Sequence, residues 1–403
     1  MQLGYLPEFP PALTQPILFG ALLAAGLLVG EAVRRYASLP RITGYVLAGV
    51  VLGPQVSGLL GANALETARV LIDLSIGLIV FELGFRFDLA WLKRNRWLFV
   101  AALAESTLCF LAIHFVLLYL GFQALHAAAA AAIGTATSPA VVMLVAHDQR
   151  AEGQITERML LFTAVNSIFA YVGLTLLLPF LRLEQAVTWT HALLHPVYLL
   201  VGSLLVGFVA CGVMLGLARW LGKREDRQFV LLVALVVLTV GVARGLNLSV
   251  MVALVVLGML ARNLDRRHVL MPLRAGHGGQ LFFVILFVLT GASLEFDALA
   301  TASLAVAGFI AARFLGKTVA IHAFSRATGL RRRGAGLLSL TLLPMSGLAV
   351  VMLHDAQALV PGLRQELAAV VIASIALLEL VGPVATQFAL RRAGETRPEQ
   401  HNA

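Results

Sequence analysis

The stretches Gly134-Thr135-Ala136-Thr137-Ser138-Pro139-Ala140-Val141-Val142 and Leu343-Pro344-Met345-Ser346-Gly347-Leu348-Ala349-Val350-Val351 decide the fold. Each sets a proline, small residues and hydroxyls near the middle of an apolar run of about twenty residues, the length that crosses ~30 Å of hydrocarbon as a helix. A helix satisfies its own backbone groups where no water is available, and a proline inside it frees groups that must find partners elsewhere. Taken singly, each stretch is a proline kink of a kind common in membrane helices. Taken together they match in position and chemistry, and lying seven helices apart they face opposite ways across a bilayer. Broken helices at corresponding positions of two inverted halves point to a binding site near the membrane midplane.

The surrounding chain agrees. Sixty per cent of its residues are hydrophobic and 13% are charged, which excludes an ordinary soluble domain. Apolar runs predict helices over 14–31, 42–59, 66–87, 97–121, 124–146, 159–181, 196–220, 228–244, 248–262, 278–293, 298–322, 335–354 and 366–390. The expected architecture is an all-α polytopic membrane protein of about thirteen transmembrane helices, a single domain over 1–403 with a short cytoplasmic tail at 391–403 that is too short to fold. Residues 1–16 show neither the basic stretch nor the small-residue cleavage pattern of a removable signal peptide, so the first helix should be retained. Cys109 and Cys211 both fall inside apolar runs and read as free packing residues.

The formal charge of +9 would suggest a nucleic-acid partner in a soluble chain, but topology explains it better and no nucleic acid is expected. With the N-terminus outside, the inner loops and tail hold 24 of the 30 basic residues, from Arg34 to Arg397. The outer side holds only Arg69, Arg182, Arg244 and Arg364. That asymmetry predicts an outside N-terminus and a cytoplasmic C-terminus in a bacterial inner membrane.

The motifs, in order, resemble the monovalent cation:proton antiporters of the sodium/proton exchanger superfamily. The carriers of the resemblance are Leu39-Pro40-Arg41-Ile42-Thr43-Gly44-Tyr45 with Gly49 and Gly53-Pro54, then Phe81-Glu82-Leu83-Gly84 with Asp88. Ala136-Thr137-Ser138-Pro139-Ala140, Arg313-Phe314-Leu315-Gly316-Lys317 and Pro344-Met345-Ser346-Gly347 complete it. The resemblance implies an inverted-repeat fold with two broken crossing helices, a homodimer, and exchange of a monovalent cation for protons by elevator-like movement of a core. In that family an Asp-Asp or Asn-Asp pair after the first broken helix carries the ion. The matching stretch here is Thr163-Ala164-Val165-Asn166-Ser167, so the asparagine is kept and Ser167 stands where the aspartate belongs.

Helical spacing puts Thr163, Asn166 and Ser167 on one face, where with Thr137 and Ser138 they are expected to line the ion site, and Ser346 is a further candidate. Asn166 should lie about 11 Å from the cytoplasmic end of its helix, and Arg313 about 14 Å from the inner end of its own. A cation at that depth needs an interior partner, and the resemblance makes Arg313 the residue that stabilises the crossed breaks. Lys317, one turn nearer the cytoplasm, has the alternatives of a site role and of snorkelling to water. Replacement of the missing carboxylate falls to Glu105, favoured for its depth, or to the shallower Glu82. Asp73 lies toward the outer half of its helix, and Glu379 is deep but remote from the motif helices. His114 and His322 stand outside the motifs, where packing or interface roles fit better than proton transfer.

Gly44 and Gly49 have the glycine spacing of a phosphate loop, but Val50 and Val51 occupy its Lys and Ser/Thr positions, so close helix packing is the better reading. No metal-ligand cluster or nucleophile elbow is present in the sequence, and neither an enzyme nor a cofactor is expected. Partners are then the cation, the proton, membrane lipid and a second copy of the chain. Without an acid near Arg313 the same cavity would suit an anion or a neutral solute, and a transport-silent sensing or assembly protein is a further alternative.

Overall fold

A computed structural model describes residues 15–60, 62–183, 189–265, 270, 277–293, 303–345, 349–350, 352–353, 356 and 365–396. The described residues contain helices and no strands. The first helices are α1 (Gln15–Ala37), α2 (Arg41–Leu52), α3 (Ala62–Phe85), the short α4 (Leu89–Arg94) and α5 (Arg96–Tyr119). The first broken span is α6 (Ala124–Thr135) and α7 (Pro139–Asp148), followed by α8 (Gln154–Leu183) and α9 (Trp189–Leu221). Then come α10 (Glu225–Gly245), α11 (Val250–Leu264), α12 (His277–Ala292) and α13 (Ser303–Ala323). The chain ends with α14 (Arg332–Thr341), which opens the second broken span, and α15 (Gln365–Ala393). Counting α6 with α7 as one crossing and setting α4 aside, these helices occupy the thirteen expected positions. Eight are long and apolar enough to cross a membrane and several more are shorter but apolar, as a multi-pass membrane protein requires.

Local sequence explains where the helices stop. α2 ends at Leu52 rather than at the expected residue 59, because Gly53 takes an extended conformation and Pro54 follows it. α1 runs on to Ala37, with Glu31 bound to Arg34 and Arg35 one turn later, and Ser38 then turns the chain with a φ of 55° ahead of Pro40. The tail departs from expectation as well: α15 continues to Ala393, and Glu395 docks on the start of α8. Its carboxylate accepts from the Ile155 and Thr156 backbone N–H groups at 2.7 and 2.8 Å and from the Thr156 hydroxyl at 2.8 Å. A carboxylate here does the work of an N-cap for the helix that carries Asn166.

Close approach at small residues sets the helix packing. A Cβ on Gly44 would sit 2.5 Å from the Gly30 Cα, so α1 and α2 touch backbone to backbone, as the packing reading of this glycine anticipates. A Cβ on Gly316 would sit 2.8 Å from the Cys109 Cα, which brings α13 against α5 beside Lys317. Cys109 and Cys211 are free and buried. The α6–α7 span is wholly enclosed by other helices, whereas α1, α9 and α10 leave most of their apolar surface uncovered.

Candidate functional site

The two breaks cross and bind each other. After α6, residues Ala136 to Ser138 run extended, and Ser138 caps α7 by accepting from the Val141 N–H at 3.2 Å. Residues 343–345 follow α14 without regular structure. The Ser138 N–H donates to the Pro344 carbonyl at 3.0 Å, and the Thr137 hydroxyl donates to the Leu342 carbonyl at 3.2 Å. The groups freed by one break are thus partly satisfied by the other, the solution that a hydrocarbon environment demands. Gly347 and Ser346 lie outside the described residues.

Arg313 of α13 holds the crossing from the side. It is 0% exposed, and its Nε and Nη2 donate to the Gly134 and Ala136 carbonyls at 2.8 and 2.9 Å. On the other break, Nη1 reaches the Leu343 carbonyl at 2.8 Å and Nη2 the Pro344 carbonyl at 3.3 Å. All four acceptors lie at the C-terminal ends of the half-helices α6 and α14, each of which carries about half a negative charge from its peptide dipoles. Two such ends roughly offset one guanidinium, so the cation is compensated without a carboxylate.

Lys317, one turn along α13, does not snorkel. It is 1% exposed, and its ammonium donates to Glu105 Oε1 at 2.5 Å, to the Thr135 carbonyl at 3.0 Å and to the Thr137 hydroxyl at 3.3 Å. Three acceptors match the three donors of an ammonium. Glu105 of α5 is 0% exposed, and its other oxygen accepts from Ser106 at 3.3 Å. The acid and the base are 212 residues apart in sequence and form a buried ion pair against the first break.

Asn166 and Ser167 of α8 reach the break from another side. The Asn166 side chain accepts from the Thr137 N–H at 3.2 Å and donates to the Thr137 hydroxyl at 2.9 Å. The Ser167 hydroxyl lies 2.7 Å from the Thr163 carbonyl and 3.1 Å from the Thr137 carbonyl. Thr137 is therefore the hub, joined through one hydroxyl to Asn166, Lys317 and the second break. Thr163 is buried on the same face, but its own hydroxyl has no partner among the described residues. Glu82 lies away from this group, half-buried at the end of α3 and paired with Arg86 at 3.1 Å. The Asp73 side chain lies outside the described residues. His114 stacks on Phe110, and His322 Nδ1 lies 2.8 Å from the Thr318 carbonyl, both away from the crossing.

A cavity of about 400 Å³ opens among α3, α4, α8 and α11, lined by Arg86, Asp88, Glu157, Leu160, Leu161 and Arg262 among others. It ends on α8 less than two turns short of Asn166. Among the described residues no group of three metal-binding side chains is found.

The model of the transmembrane sodium/hydrogen exchanger family matches residues 19–392. The chain belongs to that family. Among solved structures it is similar to the sodium proton antiporter MjNhaP1 from Methanocaldococcus jannaschii at pH 8, with 16% identity, a TM-score of 0.67, and coverage of 94% of this chain and 98% of that one. An electron-microscopy map of the same antiporter gives a TM-score of 0.70 at the same identity and coverage. No curated protein matches the sequence. The exchanger family and the fold it shares with that antiporter account for the inverted breaks.

The signal that sequence reasoning lacked was the rotation of α13. Arg313 and Lys317 read as two basic residues at helical spacing, and the choice of the half-helix ends for one and a carboxylate for the other rests on packing against α5 at Gly316.

Proposed function

We propose that this exchanger-family member exchanges a monovalent cation for protons across a bacterial inner membrane, and that the oxygen cage around the Lys317 ammonium is where the two compete. The observation that carries this reading is the set of acceptors: a carboxylate, a backbone carbonyl and a hydroxyl, the ligands a small hard cation takes. Glu105 supplies the negative charge that Ser167 lacks. When Lys317 gives its proton to water, a cation can replace the lost charge against Glu105, with Thr135, Thr137 and the neighbouring Ser138, Asn166 and Ser167 holding the cage in shape. When Lys317 is protonated again the cation leaves. The local charge is the same in both states, so neither asks the membrane interior to hold an uncompensated ion.

The anion reading would need a spare positive charge facing a cavity. The hydrogen bonds of Arg313 all run to carbonyls, and Lys317 is paired, so the site offers an anion no free donor of that kind. The cavity beside α8 is the natural water path to the cage, on the side where the basic loops cluster. The chain works as one transmembrane domain with its N-terminus outside and its C-terminus in the cytoplasm. It forms a homodimer through α1 and α9, whose apolar surfaces are largely uncovered. Cysteines placed on α1 of two subunits should cross-link in lipid, and a strictly monomeric protein would exclude the dimer.

In proteoliposomes, cation-driven proton movement should fall at least about tenfold in Glu105→Gln and persist in Ser167→Ala. Ser167→Asp should retain exchange with an altered pH dependence. No cation-coupled proton flux in the parent, together with its appearance in Ser167→Asp, would show a degenerate exchanger with another role.

A further inference from the structure

α15 carries a buried acid that the exchange site does not use. Glu379 is 0% exposed, and among the described residues neither of its carboxyl oxygens has a hydrogen-bond partner. Its sequence position suggests a helix remote from the motifs, but the packing places it beside the second break. Gly382 follows one turn later on the same face, where an added Cβ would stand 2.6 Å from the Pro344 Cα. Another turn on, the Thr386 hydroxyl lies 3.4 Å from the Thr341 carbonyl. α15 therefore runs antiparallel to α14, with Thr386 opposite Thr341 and Gly382 opposite Pro344, and Glu379 lies farther along the same line.

Among the described residues no charged neighbour relieves it. α15 packs against α2, α6, α7, α8, α13 and α14. Arg41 of α2 pairs with Glu31 and with Asp148 of α7, and Arg313 and Lys317 of α13 are committed at the crossing. Arg158 of α8 bonds the Thr328 carbonyl. His126 of α6, His147 of α7, Glu157 of α8, His322 of α13 and Arg332 and Arg333 of α14 make no ion pair with Glu379. An ionised carboxylate without a partner is the costly form in such a place, and even a neutral carboxyl leaves its O–H unpaired. A buried acid left unsatisfied is the kind of group whose protonation a change of conformation can alter.

We infer that Glu379 is a second proton-binding group of the exchange cycle, protonated in the conformation described and ionised when a change of conformation admits water to it. This rests on the exchange reading given above. On the side where the cation binds, the carboxyl O–H breaks and its proton passes to water, and on the opposite side, as the cation leaves, the same bond re-forms with a proton from water. The proton on Lys317 balances one cation, so a second on Glu379 makes the cycle carry two protons per cation and move net charge.

The test uses proteoliposomes with opposed sodium and proton gradients, the membrane potential held at zero by valinomycin and equal potassium on both sides. The reading is the sodium gradient at which net flux stops. In the parent it should equal the square of the proton gradient. In Glu379→Gln, which keeps the size of the side chain and cannot ionise, exchange should continue and the two gradients should be equal at the null point. A parent that stops at equal gradients, or a Gln variant that keeps the squared relation, overturns this role for Glu379 and leaves exchange standing. The parent's null point needs no variant, so misfolding of Glu379→Gln cannot conceal the answer. A parent that exchanges no monovalent cation for protons fails the exchange reading itself, and this inference with it.

Discussion

Replacing Arg313 by alanine removes one side chain and takes a partner from four carbonyls, of which that of Pro344 keeps the Ser138 N–H. In the parent these accept at 2.8, 2.8, 2.9 and 3.3 Å, two on each half-helix end. A hydrogen bond to a charged group contributes about 1.5–3 kcal/mol, but four bonds made by one rigid fork are not additive. Removing one side of a buried, compensated charge costs about 3–5 kcal/mol, and we expect Arg313→Ala to fall in that range. Arg313→Lys keeps the charge but has three donors and no planar fork, so it should recover the electrostatic part while losing bonds to one of the two breaks. The assay is thermal unfolding of purified protein in detergent, with the order of midpoints parent, Arg313→Lys, Arg313→Ala. Because the lost bonds tie α6 to α14, hydrogen exchange should rise at Ala136 to Ser138 before it rises in α1 or α9. An Arg313→Ala protein with the parent's midpoint and the parent's protection at the first break would refute the clamp.

Gly316→Val should push α13 off α5, since its Cβ would meet the Cys109 Cα at 2.8 Å. The expected cost is about 1–3 kcal/mol, read as a lower unfolding midpoint, with loss of exchange through separation of Lys317 from Glu105, while Gly241→Val on an open face of α10 should be far milder. Glu395→Ala removes the three bonds that cap α8 and should cost about 1–2 kcal/mol, seen as faster hydrogen exchange at Ile155 and Thr156. Unchanged protection there would mean that the tail does not stabilise the helix. A reporter fused after Arg224 should read as cytoplasmic and one inserted near Gln185 as periplasmic; reversal of both would overturn the proposed orientation.

The sequence by itself determined the number of crossings, the places where two of them break and the family to which they belong. Those properties are local, because a bilayer makes each apolar run satisfy its own backbone and a proline interrupts that wherever it stands. Depth along a helix was legible for the same reason: a fixed rise per residue placed Asn166 and Arg313 at the level of the breaks before any packing was known. What depth cannot supply is rotation about the helix axis and the identity of the facing helix. Glu105 and Glu379 look alike as deep acids in apolar runs, and only the packing of α13 on α5 gives the first a lysine while that of α15 on α14 leaves the second with none among the described residues. Glu395 reads as part of a polar tail until α15 is seen to deliver it to the first turn of α8, 240 residues back in the chain. Each of these pairings joins residues that no local rule connects, so the tertiary structure alone decided where the charges of this membrane protein are balanced and where one acid is left unpaired.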